Sequence, residues 1–122
     1  TTVRQLLWSE TGEQIPDAER YDIVLAADVV YLEQFHGALL GTSSRSLRVG
    51  GLFILIASKR NGSLDKFITL ARTTFPSTHT SDSYDPDVTK AIRRSAKCFP
   101  IMVRLAHAPE TEERFGLSDA RA

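Results

Sequence analysis

The sequence predicts an α/β fold built on a mainly parallel sheet. Three observations predict it: short apolar runs of strand length, helical periodicity between the first two long runs, and a chain of 122 residues that suits one domain. The runs are Tyr21-Asp22-Ile23-Val24-Leu25-Ala26-Ala27, Leu52-Phe53-Ile54-Leu55-Ile56-Ala57 and Pro100-Ile101-Met102-Val103-Arg104-Leu105-Ala106. The second does not alternate, so both its faces should be buried, as in a central parallel strand. A weaker run, Val3 to Trp8, reads as a further strand followed by a surface loop from Ser9 to Arg20.

Between the first two long runs, Leu32, Phe35, Leu39, Leu40 and Leu47 form an apolar stripe at steps of three, four or seven, the pattern of an amphipathic helix. Glu33 stands in its expected first turn, and Gly50-Gly51 is the expected stop before the second strand. Gly37 and Gly41 weaken such a helix by roughly 1 kcal/mol each unless they serve close packing. The next helix is clearer, with Leu64, Phe67, Ile68, Ala71 and Phe75 on one side, Ser63 as expected N-cap and Pro76 as terminator. Ser77 to Tyr84 is polar and suits an edge strand, and Asp87 to Lys97 suits a short helix before the last strand. Residues 109–122 read as a flexible polar tail after a domain spanning residues 1–108.

Composition narrows the function. Lys+Arg and Asp+Glu both total 15, so no strong overall field favours nucleic acid or an anionic membrane. The single cysteine, Cys98, excludes an internal disulfide framework and any multi-cysteine zinc site, and its place beside Phe99 reads as a small buried hydrophobe. His36, His79 and His107 have no metal-binding spacing, and His36 reads as a packed or surface residue. Lys90, Arg93, Arg94, Lys97 and Arg104 lie in an acid-free stretch, Val88 to Ala108. That stretch fits either a solvated face or a basic patch for an acidic protein.

In open parallel sheets, ligands bind beyond the carboxyl ends of the strands. The first long strand runs into Ala27-Asp28-Val29-Val30-Tyr31, the second into Ser58-Lys59-Arg60-Asn61-Gly62, and the weak one ends at Trp8. An acid, a phenol, an indole and a basic pair are therefore expected on one rim. Each also has a plainer role: Asp28 as a helix cap, Tyr31 as a half-buried core residue, Trp8 as a cover for the sheet end, and Lys59 and Arg60 as solvated loop charges.

The segment Tyr21 to Tyr31, with its strand ending in Asp-x-x-Tyr, resembles the signature that follows motif II in seven-β-strand protein methyltransferases. Leu6-Leu7-Trp8 resembles the Leu-x-Trp segment of the lysine-directed branch. Lys59-Arg60-Asn61-Gly62 with the following Leu64 and Phe67, and then Tyr84-Asp85, is most similar to the calmodulin-directed members of that branch. The likeness covers about residues 3 to 106.

The resemblance implies the C-terminal half of a Rossmann-like methyltransferase sheet, strands four to seven, parallel with an antiparallel edge strand. It implies methyl transfer from S-adenosylmethionine to a lysine of a protein such as calmodulin, in the cytoplasm or nucleus. By the same resemblance, Trp8 and Ala27 lie beside the adenine. Asp28 lies near the methionine part of the cofactor and the lysine channel, and Tyr31 walls that channel. Lys59 and Arg60 lie on the substrate side.

No Gly-x-Gly-x-x-Gly pattern occurs in the chain, so the family's cofactor loop is expected before Thr1. The chain alone is then expected to be inactive. The strand at 21–27 is expected to expose an edge through which copies associate. The alternative expectation is a non-catalytic interaction or dimerisation module derived from the same fold.

Overall fold

The computed structural model describes residues 5–12, 15–59, 62–92 and 98–116. Four strands make one sheet: β1 (Tyr21–Ala27), β2 (Leu47–Ala57), β3 (Ser77–Ser81) and β4 (Ile101–Ala106). Helix α1 (His36–Ser46) joins β1 to β2, and α2 (Ser63–Ala71) joins β2 to β3. Helix α3 (Pro86–Ala91) lies between β3 and β4, and α4 (Glu110–Arg114) follows β4.

The sheet order is β1-β2-β4-β3. β1 and β2 run parallel, whereas β4 is antiparallel to both neighbours, β2 and β3. The edge strand expected within 77–84 is β3, antiparallel to its neighbour β4, while β4, the strand that runs against the parallel pair, is interior in the described sheet. Composition explains the arrangement. β4 carries Val103, Leu105 and Ala106, all fully buried, while Ser77 to Ser81 offers hydroxyls and a histidine that tolerate water.

One sheet face is covered by α1 and α2. Val24 and Ala26 of β1, Phe53, Leu55 and Ala57 of β2, and Val103 and Leu105 of β4 pack with Leu39, Leu40, Leu64, Phe67, Ile68, Ala71 and Phe75. The other face is thinner. Leu25, Ile54 and Arg104 share a register row there, and Leu25 is 73% exposed. Part of that face is closed by α4. Glu112 is buried and accepts a hydrogen bond from Arg104 Nε at 2.9 Å, and Arg114 donates to the Gly50 carbonyl. The expected tail from Pro109 therefore contains an anchored helix.

Several boundaries differ from the sequence reading. β2 begins at Leu47, not Leu52, and takes in Gly50-Gly51. Between Tyr21↔Leu47 and Ile23↔Leu52 the register shifts, and Gly50 supplies the positive φ of +79° that this irregularity uses. Ser63 is the first residue of α2 rather than its cap. Gly62, at φ 77°, holds the N-cap position, and the Ser63 hydroxyl is buried with no hydrogen-bond partner. The described part of the expected first strand, Gln5 to Trp8, forms no strand. Cys98 is exposed and Phe99 takes the buried position.

Candidate functional site

Both parallel strands end on the same rim, as the βαβ connection requires. At the end of β1 the chain makes an abrupt turn. The Asp28 N–H donates to the Ile56 carbonyl at 2.8 Å, and Asp28 adopts φ 54°, the positive-φ non-glycine position among the described residues. Left-handed backbone costs an L-residue roughly 1–2 kcal/mol, which aspartate tolerates better than most. Such local strain at a strand end marks a position set by more than packing.

The segment after Asp28 is pinned at both ends. Val30 is 2% exposed, and its carbonyl accepts from the buried His36 Nε2 at 2.6 Å. A carbonyl only accepts, so Nε2 carries the proton. His36 also meets the Phe67 ring edge-on at 5.3 Å, which makes it a packed histidine. Between these anchors, a single 3-10 turn at Glu33–Phe35 leaves Tyr31, Leu32 and Phe35 facing outward. Glu33 pairs with Lys66 at 2.9 Å, and the Lys66 hydrogen bond holds its carboxyl below the usual range.

Trp8 is placed by α1. The Ser9 N–H donates to Thr42 Oγ1 at 2.9 Å, and Arg45 Nη2 donates to the Ser9 carbonyl at 2.9 Å. Gly41 permits this approach: a Cβ there would lie 2.6 Å from the Glu10 carbonyl oxygen and 2.8 Å from that of Ser9. Gly41 thus serves the docking of the 9–10 segment, Gly37 faces the Glu10 side chain, and the nearest neighbours of both lie outside the sheet.

These anchors bring Trp8, Asp28 and Tyr31 onto one groove of about 630 Å³, walled also by Leu6, Val29 and Phe35. Lys59, at the end of β2, lines a different cleft of about 530 Å³ with Asp65, His79, Asp82 and Arg104. The expected shared rim is therefore split into an apolar aromatic groove and a mixed-charge cleft. Ala27 is exposed on the rim but is not among the groove's lining residues. Arg60 lies outside the described residues, as do Arg93, Arg94 and Lys97. Arg104 is 16% exposed and is engaged by Glu112, so it adds little to an open basic face; Lys59 and Lys90 are exposed.

Sequence reasoning missed Phe35, which it assigned to a helix stripe. The short turn that breaks the helical phase before His36 is what redirects it to the groove. Among the described residues, no group of three or more His, Cys, Asp or Glu side chains is placed to hold a metal, and no helix is long and apolar enough to cross a membrane.

No curated protein matches the chain. A family-level match is found over residues 1–74, the stretch that carries Trp8, the β1 strand end, Asp28, Tyr31 and α2. With more than half of its length matched, including every residue of the aromatic groove, the chain belongs to the lysine methyltransferase family.

Proposed function

We propose that the chain forms the carboxyl-terminal part, strands four to seven, of a class I protein-lysine N-methyltransferase. Its reaction moves a methyl group from S-adenosylmethionine to a lysine of an acidic protein such as calmodulin. The observation that carries the reading is the meeting of Trp8, Asp28 and Tyr31 in one groove beyond the carboxyl end of β1. The mixed sheet, with β4 returning antiparallel between β2 and β3, supports the strand placement.

The groove's chemistry fits part of the cofactor. Trp8 offers a flat surface to the purine, and Asp28 and Tyr31 suit a sulfonium and an incoming amine. The remainder has no counterpart here, since Gly50, Gly62 and Gly116, the positive-φ glycines of the described residues, do not line the groove. When bound, S-adenosylmethionine supplies an electrophilic methyl for in-line displacement.

The residues of this chain do the rest. Leu6 and Val29 give the groove apolar walls that disfavour the ammonium form of lysine, whose reference pKa is about 10.4. Asp28 aligns the amine, and Tyr31 offers a hydroxyl and a ring face to it. Positioning is the main catalytic contribution available to such a site. The exposed Lys59 and Lys90 favour an acidic partner.

The test is transfer of radiolabelled methyl groups to purified calmodulin by the protein that joins this chain to a glycine-rich cofactor half. Asp28→Ala is expected to lower the rate about 100-fold and Tyr31→Phe about tenfold, the usual scale for misaligned or missing site groups. Full activity in both variants refutes the assignment. The chain alone should bind S-adenosylmethionine weakly or not at all, and calorimetry giving micromolar affinity refutes that part.

A second reading, a non-catalytic interaction or dimerisation module, is favoured by one observation. β1 is an edge strand of the described sheet, with Tyr21, Ile23 and Leu25 each more than 40% exposed. Light scattering should then show association that Leu25→Lys reduces. A chain monomeric at every concentration rejects this second reading.

A further inference from the structure

We infer that His36 is a positioning residue for the rim: through the Val30 carbonyl it holds the Asp28–Tyr31 segment in the geometry that methyl transfer uses. The rate consequences rest on the methyl-transfer reading, while the restraint itself belongs to this chain. The grounds are one buried hydrogen bond, the place of His36 at the head of α1, and the exposure of the residues it restrains.

Asp28 and Tyr31 stand between Ala27, where β1 ends, and Glu33, where the 3-10 turn begins, and no strand or helix fixes the backbone there. The upstream end is tied by the Asp28 N–H, which donates to the Ile56 carbonyl at 2.8 Å. Tyr31, Leu32 and Phe35 are exposed, so core packing does not set where they stand. Val30 is the buried exception, and its carbonyl accepts from His36 Nε2 at 2.6 Å. A peptide unit is planar, so fixing the Val30 carbonyl fixes the plane that carries the Tyr31 nitrogen and Cα. The start of Tyr31 is therefore set by the anchor on Val30.

Histidine suits this task for three reasons. Position 36 opens α1, and helical side chains lean toward the amino-terminal end, back over the segment that precedes the helix. A neutral imidazole carries an N–H donor at the far end of a ring without burying a charge. The ring also packs, edge-on against the fully buried Phe67 of α2 at 5.3 Å. His36 is itself buried, so water competes little for its bond. The other tie from this segment to α2, Glu33 to Lys66, joins two side chains more than half exposed and is screened by solvent. The buried bond is thus the stronger restraint.

Alignment is the main contribution such a site makes, and a displacement of about 1 Å can cost about 100-fold in rate. A hydrogen bond that served stability alone would leave the rate of the folded protein untouched.

Two substitutions separate the N–H from the ring. His36→Phe keeps a ring against Phe67 and removes the donor, and His36→Gln removes the ring and keeps an N–H at comparable reach. In the protein that joins this chain to a glycine-rich cofactor half, His36→Phe is expected to lower kcat about tenfold with KM within about twofold. His36→Gln should retain kcat within about threefold, and Lys66→Gln, which removes the exposed tie, within about twofold. In the isolated chain, 15N relaxation should give residues 29–31 order parameters of about 0.85, falling below about 0.6 in His36→Phe with β2 unchanged. Ring 15N shifts of the unaltered chain test the bond without any substitution: His36 should be the Nε2-protonated tautomer.

A folded His36→Phe protein with unaltered kcat, or with unaltered order parameters at residues 29–31, overturns the inference. Equal losses in His36→Phe and His36→Gln assign the role to the ring and overturn it too, as does an Nδ1-protonated ring in the unaltered chain. Equal losses in His36→Phe and Lys66→Gln overturn the assignment of the restraint to the buried bond. If the joined protein with no substitution transfers no methyl group, the methyl-transfer reading fails and takes the rate consequences with it. The relaxation and tautomer measurements then decide the restraint on their own.

Discussion

Gly41→Ala tests how Trp8 is held. In a helix interior this substitution ordinarily stabilises by about 1 kcal/mol. Here the new Cβ would stand 2.6 Å from the Glu10 carbonyl oxygen and 2.8 Å from that of Ser9, both backbone atoms with little freedom to yield. To reach ordinary contact the 9–10 segment must retreat by about 0.8 Å. The Ser9–Thr42 and Arg45–Ser9 bonds, both 2.9 Å, then stretch past useful length. Two bonds at about 1 kcal/mol each outweigh the helical gain, for a net loss of about 1 kcal/mol. The assay is twofold: urea unfolding for stability, and acrylamide quenching of Trp8 for its exposure. Lower stability with more accessible Trp8 is expected. A protein stabilised by about 1 kcal/mol with unchanged quenching would show that the segment is not docked on α1, and the account of the groove's aromatic wall would fail with it.

Other substitutions probe the remaining anchors. Asp28→Ala and Asp28→Gly both remove the carboxylate, so their difference isolates the backbone; at φ 54° the glycine variant should be the more stable by about 1 kcal/mol in chemical denaturation. Glu112→Gln leaves the Arg104 guanidinium, 16% exposed, without its carboxylate, and should cost about 2–3 kcal/mol. Replacing both residues with apolar side chains should recover most of that loss in the same melts. Burial and the nearby Asp85 raise the Tyr84 hydroxyl above its usual pKa of 10, and it donates to the Pro100 carbonyl at 2.8 Å. The fold thus favours the protonated phenol. Its contribution is fully present below pH ~10 and is lost as pH rises through the higher folded value. Tyr84→Phe should lower stability by about 1 kcal/mol at neutral pH and remove that alkaline loss.

Much of the fold is legible because local signals agree. The run at 21–27 carries β-branched and aliphatic residues between polar flanks, and β1 occupies those positions. The side of α2 marked by Leu64, Phe67, Ile68 and Ala71 is the side buried. What the pattern hides is long-range. Nothing local to Leu47 distinguishes the last turn of a helix from the first residue of a strand; pairing with Tyr21 decides it. The acidic 110–114 segment looks solvated until Arg104 on the sheet supplies Glu112 with a partner. The candidate site divides in the same way. Asp28 and Tyr31 are readable from the strand end they follow, and Trp8 from its place in a short motif. Phe35 depends on a 3-10 turn with no composition of its own, and the separation of Lys59 into another cleft depends on where α2 sits.

The position of β4 also constrains how the molecule is assembled. Among the described residues β3 pairs through β4 alone, so residues 77–81 have no partner strand there until residues 101–106 arrive. As the chain emerges during synthesis, β1 and β2 can zip together while β3 waits as a free polar ribbon. The last strand then inserts and stitches both sides in one event. Removing the six residues of β4 would therefore leave β3 unpaired as well and reduce the described sheet to β1 and β2.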